Sequence, residues 1–163
     1  FTIQQAVGRL SDLNVTIIGD IQHSRVAHSF VDAANILQMG QINLVGPADF
    51  LPQRMELNIP VSLHTDLESG LDQADVVIAL RIQTERIPQQ DHPQQNDYFK
   101  HYGLTLDKMR FAKKNAIILH PGPTIRGTEI DSAVIDSPHS CIQQQVKNSI
   151  PTRMAVLELL LSQ

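Results

Sequence analysis

The feature that most constrains this chain is an alternation of short β-branched runs with stretches of helical apolar spacing. Residues 14–20 read Asn-Val-Thr-Ile-Ile-Gly-Asp, a buried-strand pattern ending on Gly-Asp. Arg25–Met39 follows, with Val26, Phe30, Ala33, Ala34 and Leu37 at helical spacing and Gly40 as a natural stop. A second strand is expected over Ile42–Gly46, and Pro47 suits the first turn of a helix over Ala48–Leu57, interrupted by Pro52. Val61–His64 reads as a weak third strand, and Asp66–Ala74 as a short helix with Asp66 as its N-cap. Ala74–Leu80 is a strong fourth strand. His101–Phe111 looks helical, with Thr105 capping Leu106–Lys113. Ala116–His120 is a fifth strand, and Ser149–Leu161 an amphipathic last helix.

Strand and helix in repeated alternation, with near-continuous apolar strands, predict a parallel sheet covered on both faces. The expected fold is therefore α/β, a Rossmann-like three-layer domain around a central parallel sheet of about five strands. With 163 residues, 42% of them hydrophobic, one domain with a sizeable core needs no staples. The single cysteine, Cys141, excludes a disulfide framework and a cysteine-rich zinc site, and reads as a structural thiol. Apolar runs are far shorter than the ~20 residues of a membrane helix, so no membrane partner is expected. The net charge of −4, without a Lys/Arg block, argues against nucleic acid. Arg86–Asn96, rich in Gln and Pro, reads as a mobile surface loop.

In open parallel sheets ligands bind beyond the carboxyl ends of the strands. The first, fourth and fifth strands end in Asp20–Arg25, Arg81–Arg86 and His120–Gly127, which delivers Arg25, Arg81, Arg86 and Arg126 to one rim. Guanidinium forks suit carboxylate or phosphate, so a small multiply charged anion is the expected ligand. A lone arginine at a strand end is more often solvated or salt-bridged, and it is the clustering of four that points to a ligand. His120-Pro121-Gly122-Pro123 is stiff, and can present carbonyls and one amide to a small planar group. A stiff turn would read the same way. His23, His28 and His120 lack metal-site spacing, and no metal or cofactor is expected. The first strand-turn-helix lacks Gly-x-Gly-x-x-Gly, which weighs against a dinucleotide site.

Four segments together resemble the aspartate carbamoyltransferase family. They are Gly19-Asp20-Ile21-x-His23-Ser24-Arg25-Val26, Arg81-x-Gln83-x-Glu85-Arg86, His120-Pro121-Gly122-Pro123 with Arg126-Gly127-x-Glu129-Ile130, and Arg153–Leu157. The resemblance covers essentially the whole chain. It implies transfer of a carbamoyl group from carbamoyl phosphate to L-aspartate in pyrimidine synthesis, by a cytoplasmic homotrimer of two-domain chains. By carry-over, Arg25 and Arg81 bind the aspartate carboxylates with Gln83 helping. Pro121, Gly122 and Pro123 offer backbone groups near the carbamoyl moiety and the amine, and Arg86 serves domain closure. Residues 1–163 resemble the aspartate-binding domain. The family's Ser-x-Arg-Thr phosphate signature is missing, and the start on Phe1 reads as a cut at the boundary with the carbamoyl-phosphate domain. That absent N-terminal domain is the expected partner, and this chain by itself is expected to be inactive. Ile125 stands where the family often has Asn, and Ser149 where it often has Gly, a turn that Asn148 or Ser149 can still make. The last helix is expected to leave an apolar face uncovered here, open to self-association. The alternative is a non-catalytic scaffold that keeps the fold.

Overall fold

A computed structural model describes residues 1–53, 58–82 and 95–162. Five parallel strands form one sheet in the order β3-β2-β1-β4-β5: β1 (Asn14–Ile18), β2 (Gln41–Val45), β3 (Val61–His64), β4 (Val76–Ala79) and β5 (Ile117–Leu119). Four of the five strands fall inside the runs read from sequence, and β2 starts one residue before its run, at Gln41. The helices are α1 (Thr2–Val7), α2 (Arg25–Ile36), α3 (Leu67–Leu71), α4 (Gln95–Tyr102), α5 (Ser132–Ile135) and α6 (Ile142–Leu161).

Side chains alternate along each strand, and the two sets feed two cores. Val15, Ile17, Ile42, Leu44, Val76, Ile78 and Leu119 point to one face, where Ile3 of α1 and Ala27, Val31 and Ala34 of α2 cover them. Ile18, Val45, Val77 and Ile118 point to the other, under Leu67 and Leu71 of α3, Val134 of α5 and Leu104. This is the three-layer arrangement that parallel pairing requires. Asn43 and Thr16, polar residues on the second face, both donate to the Gly70 carbonyl of α3, at 3.3 and 2.6 Å.

Several helical expectations change in detail. Ala48–Phe50 forms only a 3-10 turn, and the rest of that expected helix reaches residues 54–57, outside those described. The helix expected over His101–Phe111 is two pieces. α4 stops at Tyr102 because Leu104 turns into a bridge, its N–H donating to Glu129 O and its carbonyl accepting from Asp131 N. Lys108 then places its ammonium on the carbonyls of Phe99, Lys100 and Gly103 at 2.8–3.2 Å, closing the carboxyl end of α4. A 3-10 turn, Lys108–Phe111, follows, with the Thr105 hydroxyl accepting from Lys108 N. The region expected to be a mobile loop lies mostly outside the described residues, and its last two positions begin α4.

The last helix begins seven residues earlier than its apolar pattern suggests. It runs from Ile142 straight through Asn148, Ser149 and Pro151, so no turn forms at 148–149. Ser149 donates its hydroxyl to Val146 O, and Thr152 to Asn148 O, the carbonyls on either side of Lys147 O, which loses its helical donor to Pro151. Asn148 ties α6 to α1, donating to Thr2 Oγ1 and Gln5 Oε1 at 3.0 Å. From Ile150 onward every described residue of the helix is exposed, including Met154, Leu157 and Leu160.

Two predictions test this architecture. A Cβ at buried Gly46 would lie 2.6 Å from the Gly19 carbonyl, a backbone atom. Gly46→Ala should therefore cost about 1–3 kcal/mol in urea unfolding through overpacking. Asp66 caps α3 by accepting from Ser69 N at 2.8 Å, which holds its carboxyl below the ordinary value of 3.8. Its folded affinity for the proton is thus weaker than its unfolded one, so the cap stabilises above the unfolded value and is lost as pH falls through the folded one. Asp66→Ala should cost about 1 kcal/mol at neutral pH. The gap between variant and parent should close in acid, as read from urea midpoints at the two pH values.

Candidate functional site

The strand order puts the site at the centre of the sheet. β1 leads through α2 to β2 on one side, while β4 lies on its other side and leads on to β5. The connections after β1 and β4 therefore diverge, opening a crevice at their carboxyl ends. Glycines let the backbones converge there. Gly19 adopts φ +131°, and a Cβ on it would meet Leu80 at 3.0 Å.

After β1, Asp20 is fully buried and organises the turn into α2. Its Oδ1 accepts from His23 N at 3.1 Å and pairs with His23 Nδ1 at 2.8 Å. Ser24 caps the helix by accepting from Ala27 N. Arg25 is then the first helical residue, exposed, at an end whose free N–H groups also favour an anion. After β4, Arg81 is half-buried and followed by buried Ile82. Ile82 packs with Phe50 and with Tyr98 of α4, whose ring lies 6.5 Å from Phe50 and 5.5 Å from Tyr102. Tyr98 is buried, and desolvation, with the carboxylates of Glu129 and Asp20 adding to it, pushes its phenol far up, so the ring stays neutral. Gln83 and Arg86 lie outside the described residues.

After β5, Pro121, Gly122 and Pro123 are all exposed, with a cis bond between Gly122 and Pro123. The expectation of a free amide fails here. Gly122 N donates at 2.8 Å to His120 Nδ1, and the two prolines carry no N–H. This segment presents carbonyls alone. His120 itself is buried, its N–H donating to Gln145 Oε1 and its Nε2 lying 3.1 Å from Glu129 Oε1. Arg126 departs from the expected rim in another way: it pairs at 3.4 Å with Asp136, the residue that ends α5.

A cavity of about 350 Å³ lies beside the end of β5, between α1, α2 and α6. Val26 and Phe30 of α2, Leu119 and Pro121 of the β5 end, and Gln145 and Arg153 of α6 line it. It brings the end of β5 against α2 and α6, and no residue of the β1 connection before Val26 lines it. Arg81 does not line it. Gln145, Arg153 and Tyr98 are additions that strand-end reasoning missed, because they reach the rim from helices. A second cavity, about 470 Å³, opens at the amino ends of β4 and β5, where Arg110, Lys113, Lys114 and His139 line it. Lys113 there is held by both Asp75 oxygens at 2.9 Å. Among the described residues no three His, Cys, Asp or Glu side chains gather as a metal site, and no helix is long and apolar enough to cross a membrane.

A doubly wound parallel sheet, with arginines following the two strands at its switch point, defines an α/β domain whose crevice opens at its strand ends. Residues 11–160 match the model described as Aspartate/ornithine carbamoyltransferase, Asp/Orn binding domain, and the chain belongs to that family. It is 44% identical over 161 residues to the aspartate carbamoyltransferase catalytic subunit of Agrobacterium fabrum, covering 98% of this chain and 50% of that protein. The same subunit of Brucella ovis is also 44% identical, with 98% and 49% covered. The solved catalytic subunit of M. jannaschii aspartate transcarbamoylase superposes with a TM-score of 0.82 at 30% identity, over 99% of this chain and 53% of that one. The chain thus spans about half the length of the relatives it matches.

Cys141 gives a direct check on the chemistry of this region. Burial pushes its thiol up, which lowers the thiolate fraction near neutral pH. Alkylation by iodoacetamide at pH 8 should run several-fold slower in the native chain than in urea, followed by intact mass.

Proposed function

We propose that this chain is the aspartate-binding part of a carbamoyltransferase that moves a carbamoyl group from carbamoyl phosphate to the α-amino group of L-aspartate. The observation that carries the proposal is the division of the rim. Arginines follow β1 and β4 at the switch point, and a carbonyl-only loop follows β5. Arg25 and Arg81 hold the two carboxylates through charge-assisted hydrogen bonds, with Gln83 assisting. The carbonyls of the Pro121–Pro123 segment accept from the ligand's N–H groups. That leaves the amine oriented toward the carbamoyl carbon, and orientation alone is worth several kcal/mol. As the C–N bond forms, phosphate leaves with the electrons of the broken C–O bond, and the amine sheds a proton.

The carbamoyl-phosphate half of the reaction belongs to the remainder of a longer protein, with Arg86 joining the two in the closed form. On the same reading that protein is a cytoplasmic homotrimer of pyrimidine synthesis, without a metal or cofactor. Family membership supports these finer points.

Calorimetric titration of the chain tests the proposal. L-aspartate should bind, L-ornithine should not, and Arg25→Ala or Arg81→Ala should each weaken aspartate by about tenfold to a hundredfold, the worth of one charged hydrogen bond. The chain alone, given both substrates, should form no N-carbamoyl-aspartate. Absence of aspartate binding, together with indifference to Arg81→Ala, would favour a non-catalytic scaffold.

A further inference from the structure

We infer that Glu129 is a positioning residue that sets the hydrogen-bonding character of the Pro121–Pro123 segment by holding His120 in one tautomer. The ligand side of this inference rests on the function proposed above.

The geometry allows one assignment. A backbone N–H can only donate, so the 2.8 Å contact from Gly122 N makes His120 Nδ1 the acceptor. In the neutral ring the proton then sits on Nε2, which donates to Glu129 Oε1 at 3.1 Å. The same carboxylate oxygen accepts from Ile125 N at 2.5 Å. Both ring atoms and the carboxylate are buried, with side-chain exposures of 0% for His120 and 2% for Glu129. Glu129 is itself anchored, since its carbonyl accepts from Leu104 N at 3.0 Å, and the neighbouring Gly127 N donates to Ile130 O. One carboxylate therefore pins the loop at residues 120 and 125 directly, and at 122 through the imidazole.

The consequence is chemical as well as structural. Pro121 and Pro123 have no N–H, and Gly122 surrenders its own to His120. The exposed segment is left as an acceptor. With the other tautomer, Nδ1 would carry the proton, the Gly122 N–H would lose its partner, and the exposed loop would offer a donor at its surface. Such a loop would repel the N–H groups of an amine or a carbamoyl NH2, the donors that an acceptor-only loop selects.

Selective ¹⁵N-histidine labelling of the folded chain reads the tautomer. The expected result is a protonated-type Nε2 and an unprotonated-type Nδ1 for His120. An Nδ1–H tautomer, or an imidazolium at neutral pH, overturns the inference with no variant needed. Glu129→Gln retains an acceptor oxygen and should preserve the pattern, with aspartate affinity within about threefold of the parent. Glu129→Ala should mix the tautomers and speed Gly122 amide exchange by about tenfold or more, the cost of one lost buried hydrogen bond. Aspartate binding should weaken by a similar factor. A folded Ala variant with the parental His120 pattern and parental Gly122 exchange also overturns the inference. If the unsubstituted chain binds no aspartate, the proposed function fails, while the tautomer and exchange readouts still decide the role of Glu129.

Discussion

The site depends on β1 being paired on both sides. Its register with β2 and β4 runs Ile18↔Val45 and Ile18↔Ala79, so three chain segments leave the sheet at the same level. Beyond that level the backbones are too close for side chains. Gly46 faces the Gly19 carbonyl and Gly19 faces Leu80. Only after this constriction do the connections diverge, and the side chains that follow, Asp20 and Arg81, sit where the fold first opens. Parallel pairing generates the crevice, and the glycines determine how near the two arginine-bearing connections start.

Around that crevice, charge and hydrogen-bonding capacity are sorted by strand. The β1 and β4 connections supply cations, and the β5 connection supplies carbonyls. An amino acid with a second carboxylate carries the complementary groups: anionic ends for the arginines and an N–H donor for the loop. The sorting is maintained from beneath by buried polar groups. Asp20 shapes the turn into α2, Gln145 holds the His120 N–H, and Glu129 holds both its ring and Ile125 N. Buried carboxylates of this kind are costly unless hydrogen-bonded, which ties the shape of the rim to the integrity of these contacts.

Much of this was legible in the sequence, for identifiable reasons. The strands announced themselves because residues buried on both faces must be apolar at every position, as in Val76–Ala79. Asp66 and the start of α2 were legible because caps are local chemistry. The break between α4 and Lys108 was not, because Leu104 abandons the helix for a bridge to residues 129–131, far along the chain. Asn148 and Ser149 suggested a turn, yet α6 runs straight through them, with Asn148 anchored to Thr2 and Gln5 of α1. At the site, Arg25 and the Pro-Gly-Pro segment could be placed from strand ends alone. Arg126 could not be excluded that way, since its partner Asp136 comes from the end of the following helix. Glu129 was visible as a motif residue, but its hold on His120 is a tertiary contact that no spacing reveals.

The most direct test is amide chemical-shift mapping of the chain titrated with L-aspartate. The largest shifts should fall on residues 20–26, 80–82 and 120–125, the three strand-end connections, with Gly122 among them. Shifts centred instead on Lys113, Lys114 and His139, at the amino ends of the strands, would contradict it.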